Sequence, residues 1–118
     1  MEMTRLCFLC ATIVMPIVTV RRSPKVDKKW QATFNVDGRV RHVNFGSKGY
    51  SDYTMHKDAA RMHRYLIRHR RREAWGPGGK FTAGFWSRWF LWSKPTLNGA
   101  RLATQRALGP GWCVQLRA

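Results

Sequence analysis

Two runs of alternating apolar and polar residues, Trp30 to Val36 and Arg39 to Phe45, meet at Asp37-Gly38. Asp-Gly accepts the positive φ angles of a type I′ turn, whose twist matches that of paired strands, so the spacing predicts a two-residue β-hairpin. The turn fixes the register: Val36 opposite Arg39, Phe34 opposite Arg41, Ala32 opposite Val43 and Trp30 opposite Phe45. One face of the ribbon is then apolar with an arginine edge, and the other carries Gln31, Thr33, Asn35, His42 and Asn44. An isolated ribbon is marginal in water, so the rest of the chain has to supply a layer that covers its apolar face.

Gly46 to Lys57 reads as a turn-rich loop. It leads into a helix expected from about Asp58 to Ala74, with Asp58 as N-cap and Gly76-Pro77 as the stop. Ala59, Met62, Tyr65 and Leu66 make a narrow apolar stripe, whereas Arg61, Arg64, Arg68 and Arg72 recur at helical spacing and Arg70 and Arg71 widen the basic side. Like charges at i,i+4 cost a few tenths of a kcal/mol per pair, a repulsion that an anionic surface relieves. After Gly76-Pro77-Gly78-Gly79, read as a flexible connector, Phe81 to Trp92 concentrates Phe81, Phe85, Trp86, Trp89, Phe90 and Trp92 in a helical packing cluster that ends at Lys94-Pro95. Phe85, Trp89 and Trp92 share one face of that helix and Trp86 and Phe90 a second. A weak helix near Ala100 to Leu108 is followed by Gly109-Pro110-Gly111 and a short apolar end, Trp112-Cys113-Val114.

Leu6 to Val20 is a run of fifteen uncharged residues between Arg5 and Arg21-Arg22. A bilayer-spanning helix needs about 20 apolar residues, and Pro16 with the β-branched Thr12, Ile13, Val14, Ile17, Val18, Thr19 and Val20 lowers helix preference further. No small-x-small cleavage site follows the run, which argues against a signal peptide. An extended arm inserted into a neighbouring subunit accounts for this composition; a membrane anchor is the alternative. The organisation expected is an apolar N-terminal arm over 1–24, a basic domain over 25–97 and a C-terminal arm over 98–118. The fold class is α+β: a small β-hairpin or three-stranded sheet packed on a basic helix and an aromatic-rich helix.

Charge then limits the function. Twenty-two Lys and Arg against six Asp and Glu give +16, whereas roughly 2 to 8 charges keep a small domain soluble. The excess opposes compaction and points to a polyanionic partner. A solvated tail is excluded by 44% apolar and 13% aromatic content. The basic surface expected to meet the partner comprises Arg39 and Arg41 on the hairpin and Arg61, Arg64, Arg68, Arg70, Arg71 and Arg72 on the helix. Guanidinium contact with phosphate would be independent of sequence and steeply sensitive to salt.

Residues able to carry chemistry do not converge on a reaction. Cys7 and Cys10 form a C-x-x-C pair inside the apolar run, no second such pair completes four metal ligands, and Cys113 stands alone. The cysteines read as small buried hydrophobes in a reducing compartment. His56-Lys57-Asp58 brings a base, a cation and a carboxylate into succession, but adjacent side chains diverge, so capping by Asp58 and loop packing by His56 are expected. His63 and His69 fall on different faces of the helix. Glu2, Asp27, Asp37, Asp52, Asp58 and Glu73 are scattered. The expectation is a non-enzyme with no catalytic residue, metal or cofactor.

The strings Phe45 to Asp58 (FGSKGYSDYTMHKD), Arg64-Tyr65, Arg68-His69 and Thr82 to Leu97 (TAGFWSRWFLWSKPTL) give residues 30–97 a resemblance to a family of short basic proteins encoded by large nucleo-cytoplasmic DNA viruses of algae and protists. That family carries no established activity. The resemblance implies a viral product and a virion component, made in the host cytoplasm or nucleus and placed in the capsid or on its inner surface. The expected function is therefore a minor capsid or cement protein that bridges other capsid proteins through its arms and basic surface. Sequence-independent binding or condensation of nucleic acid is the alternative, and a virion protein anchored in a membrane through Leu6 to Val20 is a second one.

Overall fold

The computed structural model describes residues 16–117. The hairpin forms in the register that its turn dictates: β2 (Lys28–Val36) and β3 (Arg39–Ser47) pair Val36 with Arg39, Phe34 with Arg41, Ala32 with Val43 and Trp30 with Phe45. Asp37 and Gly38 take φ angles of 53° and 78°, as a type I′ turn requires.

The outer edge of β2 does not stay open. β1 (Ile17–Arg22) pairs with it antiparallel, and β4 (Cys113–Leu116) pairs with β1 in parallel, giving a four-stranded mixed sheet in the order β3-β2-β1-β4. Both terminal segments expected to be arms are therefore part of the domain over the described residues. Val18, Val20 and Val114 are fully buried in this chain's own core. Ile17-Val18-Thr19-Val20 is a β-branched run suited to a pleated interior position, and it satisfies an edge that a bare hairpin would leave exposed. The remainder of the predicted apolar arm, with Cys7 and Cys10, lies outside the described residues. Cys113, expected to stand alone, is disulfide-bonded.

Helices cover one face of the sheet. After β3 come α1 (Tyr53–His56), α2 (Ala59–His69), a 3-10 turn (Pro77–Gly79), α3 (Ala83–Trp86), a π-helical turn (Ser87–Leu91) and α4 (Leu97–Leu108). The fold is α+β, and the layer from α3 to α4 carries the chain across to bring β4 beside β1. Thr96 caps α4 by accepting from the Gly99 N–H at 3.0 Å, while Gly109 and Gly111, with φ of 103° and 94°, turn the chain back into β4.

The core lies between that layer and the Val18, Val20, Trp30, Ala32, Phe34, Val43 and Phe45 face of the sheet. Phe85, Trp86, Phe90 and Leu91 fill it from the helical side. Trp86 stacks on Phe45 at 5.6 Å and meets Phe34 edge-on at 5.8 Å, and Phe90 meets Trp30 edge-on at 5.4 Å. Burying each such side chain stabilises the fold by about 1.5–3 kcal/mol. The π-helical turn makes this possible. In an unbroken α-helix these four residues would spread over about 240° of circumference, and one looped-out residue narrows the spread to roughly 140°. The two faces expected of a regular helix are thereby merged, leaving Trp89 and Trp92 partly buried beside the core. Phe81 packs at the rim of the cluster, edge-on to Phe34 at 4.8 Å, and stays 37% exposed.

The expected flexible connector is a packed turn instead. Gly79 is buried, and a Cβ there would sit 2.1 Å from the Ala74 carbonyl oxygen.

Candidate nucleic-acid interface

The basic helix is the first element of the site. Asp58 caps it, accepting from the N–H groups of Ala60 at 3.0 Å and Arg61 at 3.3 Å. Tyr65 alone is buried, its ring parallel to Trp92 at 4.4 Å and stacked on His69 at 4.3 Å. Burial, reinforced by the Glu73 carboxylate, pushes the Tyr65 phenol well above its ordinary value, so it stays neutral. Met62 and Leu66 are half-buried on the same side, and Arg61, Arg64 and Arg68 are exposed along the adjoining flank.

The helix ends at His69, five residues before the expected Ala74. Arg70, Arg71 and Arg72 are exposed but belong to the turn that follows, so Arg72 is not part of the helical stripe. Two causes combine. Continuing the helix would align more like charges at i,i+4, and Glu73 is held elsewhere, accepting from Trp75 Nε1 at 3.1 Å and facing His69 Nδ1 at 3.4 Å.

Arg39 and Arg41 lie at the far end of the hairpin. The Arg41 guanidinium sits 4.0 Å over the Phe81 ring, and both arginines line a groove of about 480 Å³ with Phe34, Val36 and Asp37. Arg68 lines a different groove, so the two expected halves of the basic surface are not joined in one site. The aromatic cluster serves packing. Trp86 Nε1 donates to the Lys80 carbonyl and Trp89 Nε1 to the Trp75 carbonyl, each at 2.8 Å. Arg88 lies 4.2 Å over Trp89 and donates to the Trp92 carbonyl at 3.1 Å; burial lowers its pKa.

A third basic region was not singled out from sequence. Ser47 to Tyr50 forms a tight turn in which the Tyr50 N–H donates to the Ser47 carbonyl at 3.3 Å and Gly49 takes φ of 90° at the third position. The Lys48 N–H donates to the Asp27 carbonyl at 3.0 Å, which ties the turn to the loop between β1 and β2. A groove of about 630 Å³ opens beside it, lined by Arg22, Lys29, Lys48, Tyr50 and Met55 among others. A second groove of about 450 Å³, which includes Arg68, shares Lys29, Tyr50 and Ser51 with the first. Glycine at the third position of S-K-G-Y was the signal available for the turn. Its meeting with Arg22 and Arg68 depends on the tertiary fold.

Few of these cations are neutralised. Among the described residues the ion pairs are Lys29 Nζ to Asp52 Oδ2 at 2.6 Å and His69 Nδ1 to Glu73 Oε2 at 3.4 Å. The first is structural, because Asp52 is 2% exposed and also caps α1 by accepting from the Thr54 N–H at 3.0 Å. Arg22, Arg61, Arg64 and Arg68 are in no ion pair within this set.

His56, Lys57 and Asp58 diverge as expected of neighbours. His56 Nδ1 accepts from the Asp58 N–H at 2.9 Å, Lys57 Nζ donates to the Thr54 and Pro95 carbonyls, and the Asp58 carboxylate caps α2. Desolvation, with Arg61 nearby, lowers the His56 pKa. No group of three His, Cys, Asp or Glu side chains that could hold a metal occurs among the described residues. Neither this arrangement nor the comparisons point to an enzyme.

No curated protein and no solved structure matches the chain. Over residues 18–69, from β1 through α2, the chain is similar to a protein family described as a family of unknown function (DUF5754).

Proposed function

We propose that this is a non-enzymatic protein that binds nucleic acid through its phosphates without reading sequence. The observation that carries this is the flank of α2, where Arg61, Arg64 and Arg68 are exposed in a row with no carboxylate paired to them among the described residues. A helix of this kind presents guanidinium groups at a spacing suited to a polyanion, and binding relieves their mutual repulsion. The viral origin implied by the resemblance of residues 30–97 gives this a setting, as a genome-binding component of a particle or an infected cell. The capsid-cement reading is less favoured, because it drew on free terminal arms and residues 17–22 and 113–116 are spent on this chain's own sheet. As for a membrane anchor, no described helix is long and apolar enough to cross a bilayer.

The test is a salt titration of binding to a random-sequence duplex with the full chain. Affinity should fall steeply with salt. The triple variant Arg61→Ala, Arg64→Ala, Arg68→Ala should reduce the log–log slope by about 3, or about one unit per phosphate contact removed. Circular dichroism of the variant should be unchanged, because these side chains are exposed. Affinity that is flat with salt, or unaltered in the triple variant, would sink the proposal.

A further inference from the structure

The groove beside the Ser47 to Tyr50 turn has the makings of a more selective site than the helix flank. Tyr50 is 73% exposed, although its backbone is held by the turn and by the Lys48 bond to the neighbouring loop. An aromatic ring so exposed gains little by burial in this chain and leaves its face open to a stacking partner. Met55 is 60% exposed in the same groove, and its Sδ accepts from Lys29 Nζ at 3.4 Å. The Arg22 guanidinium is oriented over the Trp30 ring at 4.1 Å, and Lys48 occupies the second position of the turn. Tyr50 and Met55 thus share a groove of about 630 Å³ with Arg22, Lys29 and Lys48, within the range of small-ligand sites.

We infer that this groove takes an unpaired nucleotide of a single strand, with the base stacked on Tyr50 beside Met55 and the flanking phosphates met by Arg22 and Lys48. Base stacking on an aromatic ring with cations along the backbone is the general chemistry of single-strand binding. A duplex keeps its base faces within its own stack, so Tyr50 adds nothing to duplex affinity. Arg68 borders the adjoining groove that shares Tyr50, which places the phosphate path toward α2. The inference rests on the nucleic-acid reading above and adds to it a preference for unpaired strands.

The experiment compares the full chain binding a 20-nucleotide oligo-dT and a duplex of equal length at one salt concentration. Tyr50→Ala should weaken oligo-dT binding by about tenfold and duplex binding by less than about twofold, and Tyr50→Trp should retain oligo-dT binding. Tyr50→Ala that lowers neither affinity, or both equally, overturns the inference and leaves the phosphate reading standing. A wild-type chain that binds neither probe overturns both. Polyglutamate that competes as well as oligo-dT and depends equally on Tyr50 assigns the groove to an acidic protein and also overturns it. Tyr50 makes no core contact, so circular dichroism confirms that each variant is folded.

Discussion

Asp52 illustrates how much one buried side chain decides. Its carboxylate accepts from Lys29 Nζ and from the Thr54 N–H and hydroxyl, so it joins β2 to α1 and anchors the loop that displays Tyr50. Removing one member of a buried pair leaves the other charge without its partner and costs about 3–5 kcal/mol, and a lost cap adds about 1 kcal/mol. Lys29 keeps some access to water, with its side chain 11% exposed, so Asp52→Ala should lose about 3 kcal/mol in urea unfolding and Asp52→Asn, which retains a cap acceptor, clearly less. Equal losses for the two would mean that the charge is unimportant. The sequence around Asp52 announced a turn, and the distance of 23 residues to Lys29 hid the pairing. Gly79 was misread for the same reason. Gly-Pro-Gly-Gly looks flexible in one dimension, whereas the Ala74 carbonyl packed against Gly79 makes it a position that tolerates no side chain.

Of the two long helices, α4 buries Ala100, Arg101, Thr104 and Leu108, and α2 is the more weakly attached. Only Tyr65 is buried along it, and the Tyr65–Trp92 stack is its main aromatic tie to the helical layer. Replacing Trp92 with Ala should therefore release α2 while the sheet persists. Native-state hydrogen exchange should show amide protection in α2 falling at least about tenfold, with the interior amides of β1 and β2 unchanged. Uniform loss across both would show that Trp92 supports the whole core. The start of α2 was legible because an Asp cap and a 3.6-residue pattern are local signals. Its end was not, since that depends on Glu73 being engaged by Trp75 and His69. The aromatic segment was legible as buried, but its π-helical turn answers to the shape of the sheet it covers, and periodicity along the chain does not encode that shape.

For the molecule as a whole, a charge of +16 opposes compaction, and the two ion pairs among the described residues offset little of it. The thermal midpoint should rise as NaCl is increased from about 10 mM to about 150 mM, over which the screening length shrinks from about 30 Å to about 8 Å. A short oligonucleotide should produce a comparable rise at the lower salt. A midpoint indifferent to both would mean that self-repulsion does not limit stability.

The hairpin, its register and its two-faced character were legible along the chain, because turn chemistry and a period of two act between neighbours. The Asp58 cap of α2 and the excess of cations were legible in the same way. That Ile17 to Arg22 and Cys113 to Leu116 complete the sheet, that Phe81 packs at the rim of the core, and that Arg22, Lys48, Tyr50 and Arg68 border adjoining grooves emerged only with the folded molecule. Those outcomes follow from contacts between segments tens of residues apart, where burial of apolar surface and satisfaction of strand edges outweigh any local preference.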